Sequence, residues 1–186
     1  MSSVAPFNVT LTRPVTVIPT VAMPSDLDFD SVVMELCQVL SETDCTFRIG
    51  GFGQSNWPVD VRYDLSTLVE QLPDVLSQIR SRELAEIDFY GQGVERTLRF
   101  GVGEERVFVS CISRTRWVPD PAEEELGYSE LLSMLESVAA EFSESVQLIW
   151  PQLAEMKPFS EWRSSTAGTV RRVSCQDAGR QPPPDH

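Results

Sequence analysis

Histidine is all but missing from this chain: its single residue, His186, is the last one. Without an imidazole inside the folded part, the usual Ser/His and Cys/His nucleophile pairs and His-rich metal sites cannot be assembled. Lysine is nearly as scarce, since Lys157 stands alone, so a Ser/Lys dyad has one possible base. The cysteines Cys37, Cys45, Cys111 and Cys175 never fall at C-x-x-C spacing, which argues for free thiols over disulfides or zinc. Long apolar runs are also lacking. No window approaches the roughly 18 to 20 residues that cross a bilayer. The first residues have no basic lead and are broken by Pro6, Pro14, Pro19 and Pro24, so they do not have the form of a signal peptide. The expectation is a soluble cytoplasmic protein, in which the acceptor pattern Asn8-Val9-Thr10 has no meaning for glycosylation.

Positive charge is the next deficit. Against 28 Asp and Glu there are 15 Lys and Arg, a formal net charge of -13. Such a chain is ill suited to phosphate contacts with nucleic acid or to an anionic membrane. Its natural counterpart is a basic protein. With 186 residues, 41% of them hydrophobic, the length suits one core. The reading is a single domain over 1–163, followed by a disordered tail over 164–186 rich in Ser, Thr, Gly, Arg and Pro.

The hydrophobic pattern predicts an α+β fold. Residues 7 to 18 suit an edge strand. A helix follows, capped by Ser25 or Asp26, with Phe29, Val32, Val33, Leu36, Cys37 and Leu40 on one face. TFRIGGF and PVDVRYD read as two strands, and Asp64 as the cap of a second helix that Pro73 should kink or divide. AEIDFYG, ERTLRFG and RVFVSCIS form an antiparallel meander whose last strand, apolar on both faces, is central or covered on both sides. After the proline-marked link Trp117-Val118-Pro119-Asp120-Pro121, a long helix runs from Tyr128 to Ile149, and a short helical piece lies within 151 to 163. The sum is an antiparallel sheet of five or six strands with about three helices packed on one face.

Motifs that suggest chemistry fail on spacing. Asp26-Leu27-Asp28-Phe29-Asp30 would need a glycine and a carboxylate where Ser31 and Cys37 stand to form a calcium loop, so it reads as a helix start. Gly50-Gly51-Phe52-Gly53 has no Lys-Ser/Thr after it and reads as a bulge or turn. Carboxylate pairs such as Asp60 with Asp64, or Glu86 with Asp88, could act as acid and base only if folding gathered them in a cleft. Arg171-Arg172-Val173-Ser174 has the form read by basic-directed kinases, but in a tail it carries no weight. No catalytic residue, metal ligand or cofactor is assigned.

Charge distribution is more informative. From Asp120 to Glu161 there are ten acids against Lys157 alone, while Glu86 to Arg116 balances five acids with five arginines. The long helix then forms a negative wall. Trp117 beside it has the composition of an interface anchor. The predicted partner-binding surface is Trp117, Asp120, Glu123, Glu124, Glu125, Glu130, Glu141 and Glu144.

In size, charge and the order of elements, from FYGQGVERTLRF through EEELGYSELLSMLESVAAEF, the chain resembles the small acidic immunity proteins encoded beside bacterial polymorphic toxins. That resemblance implies a non-enzymatic, cytoplasmic binding domain that neutralises a basic toxin by covering its active site. It carries over no individual residue. The alternatives are another adaptor, a phage-encoded inhibitor, a DNA mimic, or an enzyme using paired carboxylates in a deep pocket where their pKa values rise. No oligomeric state is implied.

Overall fold

The computed structural model describes residues 6–15, 21–91 and 93–164. The expected tail, with Cys175, His186 and the Arg171–Ser174 motif, therefore lies outside the described residues, apart from Ser164. Among the described residues the order is β1 (Asn8–Thr12), α1 (Phe29–Ser41), β2 (Thr46–Gly50), α2 (Asp64–Arg80), β3 (Ala85–Phe89), β4 (Arg96–Val102), β5 (Arg106–Ser113), β6 (Glu123–Gly127) and α3 (Tyr128–Ile149), then a 3-10 turn Leu153–Glu155. A final helical stretch spans 159–164.

The class is α+β and all pairings are antiparallel, but the strands do not join into one sheet of five or six. They split into a two-stranded ribbon, β1-β2, and a four-stranded sheet, β3-β4-β5-β6. Two expectations fail together here. PVDVRYD is not a strand: only the Trp57 amide bonds to β2, at Ile49 O (2.7 Å), before the chain turns away. The turn is made by carboxylates, because Asp60 accepts the Tyr63 amide (2.7 Å) and Asp64 accepts the Asp60 amide (2.9 Å). Conversely, the acidic stretch expected to be a link is strand β6. Three glutamates have low strand propensity, yet a solvated edge tolerates them.

The helices differ from expectation in detail. α1 is capped by Asp28, which accepts the Ser31 amide (3.0 Å), rather than by Ser25 or Asp26. Tyr63, not Asp64, occupies the N-cap of α2, with no side-chain cap bond. α2 runs undivided through Pro73. Burial of Leu68, Leu72, Val75, Leu76 and Ile79 on either side outweighs an interior proline's cost of about 3 kcal/mol. Nor do all three helices lie on one sheet: α2 packs along β3 and α3 along β1, while α1 packs on α2. The core fills the space between them with Ile87, Phe89, Leu98, Phe100, Val107 and Val109 from the sheet and Leu65, Leu72, Leu135 and Phe142 from the helices, all buried. The other sheet face is open. On β5, Val107, Val109 and Cys111 point inward, while Phe108 and Ile112 remain 45% and 41% exposed, so this strand is central but not covered on both sides.

One carboxylate joins the two sheets. From β6, Glu124 turns inward and accepts the backbone N–H of Phe7, just before β1, with one oxygen and that of Phe52, just after β2, with the other. The glycines around Phe52 make this approach possible. A Cβ on Gly51 (φ +122°) would sit 2.6 Å from Phe7 Cα, and one on Gly53 (φ +83°) 2.3 Å from Asp120 O. Phe52 itself takes φ 57° and is held at its carbonyl by the Asp120 amide (3.0 Å). Glu124→Ala should therefore cost about 2–4 kcal/mol in urea denaturation, because two amides lose a charged acceptor. Glu124→Gln should cost less, and Glu123→Gln on the solvated face should stay within about 0.5 kcal/mol of wild type.

Candidate functional site

A recess of about 390 Å³, smaller than the shallow one of about 740 Å³ beside β2, opens between α1, the start of α2 and the end of β3; Met34, Asp60, Tyr63, Asp64, Glu70 and Tyr90 are among its lining residues. Its floor follows from the turn that enters α2. Because Asp64 is the first helical residue and bonds back to the Asp60 amide, its carboxylate is drawn inward and the residue is only 5% exposed. Ser66 and Thr67 hydroxyls both donate to Tyr63 O (2.9 Å each), fixing the first turn. Gln71, one turn further, pairs its amide with both backbone groups of Asp88 (2.9 and 3.1 Å) and so fixes α2 against β3 and its continuation, Tyr90. The rim is apolar and exposed: Met34 59%, Tyr63 59% and Tyr90 65%. Arg62 lies over the Tyr63 ring at 5.1 Å. A smaller hollow of about 170 Å³, shared by Met34, Tyr63 and Ser66, adjoins the first and contains Glu35, Gln38 and Arg62.

Electrostatically the floor wants a cation. Burial raises the Asp64 carboxyl above its ordinary 3.8, opposed by the Asp60 amide bond and aided by the Asp60 charge. Burial likewise raises Glu70 above 4.5, with the Asp30 charge adding to it. Neither carboxylate has a salt bridge among the described residues. Among the described residues, no three His, Cys, Asp or Glu side chains are grouped to hold a metal ion. A positive group placed here would favour the ionised form of both acids and meet two tyrosine faces.

The surface predicted from sequence is dispersed. Glu123 and Glu125 stand on the open sheet face, the first accepting from Ser110 Oγ (3.0 Å) and the second paired with Arg106 (3.3 Å). Glu124 points the other way, into the clamp. Glu130 accepts the Gly127 amide (3.4 Å) at the start of α3. Glu141 and Glu144 gather around Arg13 (3.8 and 3.6 Å), and Glu136, on the same helix, holds Arg80 (2.8 Å). Arginines from β1's end and α2 thus counter the negative wall. Asp120 is exposed, and its backbone is tied to Phe52. Trp117 is half-buried: its ring meets Trp57 edge-on (6.1 Å) and carries the Arg96 guanidinium at 3.6 Å, which also lies 4.3 Å from the Trp57 ring. Arg96 is 3% exposed and bonds only Gln54 Oε1 (2.9 Å), so Trp117 covers a buried cation from outside. Cys37, Cys45 and Cys111 are free and buried, the last two pushed up to about 11 chiefly by that burial.

Of the recess, the Asp60 and Asp64 pair is visible in sequence, but Met34, Tyr63, Glu70 and Tyr90 are not. Tyr63 read as part of a strand, and nothing in its neighbours signals a turn that leaves its ring exposed. No family model matches the chain, and no curated protein or solved structure matches it.

The raised carboxyls make a signed pH prediction. A carboxyl raised on folding binds protons more tightly in the native state, so it lowers stability above its native pKa, and that penalty disappears as pH falls through the native value. Asp64→Asn and Glu70→Gln should thus be at least as stable as wild type at pH 7. Their advantage should shrink toward zero near pH 4, as read by urea denaturation of all three proteins in parallel.

Proposed function

We propose that this chain is a protein-binding domain that takes up an arginine or lysine side chain of a basic partner in the Tyr63–Tyr90 recess. The observation that carries the reading is the pairing of two partly desolvated carboxylates, Asp64 and Glu70, which have no salt bridge among the described residues, with an exposed Met and Tyr rim. Aromatic and methionine side chains around a site that can be fully desolvated are the composition of binding hot spots. The net charge of -13 would speed the approach of a basic protein and repel acidic competitors. Covering a basic toxin's active site in the cytoplasm, as immunity proteins do, is the specific role this reading favours. Among the described residues no helix is long and apolar enough to cross a membrane.

A second reading has its own support. Two carboxyls with raised pKa in one recess meet a geometric condition for acid–base catalysis. The two readings separate in one experiment. A photo-cross-linking phenylalanine analogue at Tyr90, introduced in the cell that makes the protein, should trap a basic partner. Against that partner, purified, Tyr63→Ala or Tyr90→Ala should weaken binding roughly tenfold or more, mostly through faster dissociation. A partner bound equally well by both variants would remove the recess from the interface. A turnover lost on Asp64→Asn or Glu70→Gln would replace binding by catalysis.

A further inference from the structure

The edges of the two sheets are unequally protected. On the outer side of β1 the amides of Phe7, Val9 and Arg13 end on Glu124, on Met134 Sδ (3.1 Å) and on Glu141 (3.3 Å). On β3 the Asp88 backbone is closed by the Gln71 side chain, and on β2 Ile49 O is taken by the Trp57 amide. β6 is different. It pairs only with β5, and its phase is set by Cys111 N to Ala122 O (2.9 Å) at one end and Tyr128 N to Glu105 O (2.8 Å) at the other. Antiparallel ladders alternate. Glu124 and Leu126 therefore bond toward β5, whereas Glu123, Glu125 and Gly127 turn their N–H and C=O groups outward. Only the Gly127 amide is capped, by Glu130. Both Glu123 and Glu125 are exposed.

We infer that the outer edge of β6 accepts an extended segment of a basic partner as a fifth strand, with Lys or Arg at alternate positions facing Glu123 and Glu125. Main-chain bonds would supply the pairing and the glutamates its selectivity. A second copy of this chain does not fit, because edge-to-edge pairing of two β6 strands would set glutamates against glutamates. Glu130, which accepts the outward Gly127 amide, adds to the charge at the same edge, and Arg106 pairs with Glu125. The inference rests on the basic partner proposed above but not on the recess.

The test uses the ¹⁵N-labelled full chain and the blocked peptide Lys-Val-Lys-Val-Lys. Peptide at saturating concentration should slow exchange of the Glu123 or Glu125 amide by roughly tenfold, the equivalent of about one net hydrogen bond. The Glu124 amide, already bonded to β5, should change little, and Tyr63→Ala should leave the effect intact. A peptide N-methylated along one edge should not protect, and Glu123→Lys with Glu125→Lys should shift preference to Glu-Val-Glu-Val-Glu. Equal effects of plain and N-methylated peptides, or no protection at millimolar peptide, would overturn strand addition. Responses confined to Met34, Tyr63 and Tyr90 would overturn it too, while leaving the recess reading in place.

Discussion

The fold depends on a single carboxylate that reaches from one sheet to both strands of the other. Glu124 leaves β6 on its inner side and gathers the amides of Phe7 and Phe52, which the ladders of β1 and β2 leave unbonded. An ionised carboxylate can accept from both at once, and charge-assisted bonds of this kind are roughly twice as strong as neutral ones. Around it the Phe7, Phe52 and Phe100 rings close the core, with centroids 5.8 and 6.2 Å apart. The glycine-rich turn follows from this need. It brings two backbones to within a Cβ radius of each other so that Phe52 can present its N–H to the carboxylate, with no ligand required to explain the glycines.

Charge in this molecule is therefore divided between structure and surface. Much of the acidity of α3 is spent internally, on the Gly127 amide, on Arg13 and on Arg80. These exposed ion pairs each contribute little, but they leave the α3 surface less negative than its sequence suggests. Acid without a salt bridge among the described residues lies instead at the recess beside α2, while on β6 Glu123 accepts from Ser110 and Glu125 pairs with Arg106. Among the described residues Arg96 is the one buried basic side chain, and it is shielded by Trp57 and Trp117.

What could be read in sequence was what local pattern dictates. Tyr128 to Ile149 is helical because Leu131, Leu135, Val138, Phe142 and Val146 recur on one face, and the meander from Ala85 to Ser113 alternates around glycine turns. What was hidden depends on contacts between distant residues. β6 was missed because three successive glutamates look solvated, and the middle one is distinguished only by reaching Phe7, 117 residues away in the chain. PVDVRYD was misread because alternation at Val59 and Val61 says nothing of Asp60 and Asp64 capturing amides to turn the chain. Composition marks Trp117 as an anchor, and no local signal reveals the guanidinium it covers. The recess combines residues from α1, α2 and the end of β3, so only the Asp60 and Asp64 half of it could appear as a pattern.

The central claim is that the recess is built for a positive group, and the protons on its two acids report on this directly. Carboxyl-carbon NMR should follow Asp64 and Glu70 through a pH titration of the free chain and of the chain saturated with Nα-acetyl-arginine amide. In the free chain both midpoints are expected above the ordinary 3.8 and 4.5, and both should fall when the guanidinium enters, because a nearby cation favours the ionised form. Midpoints that stay where they were with the ligand bound would contradict the claim.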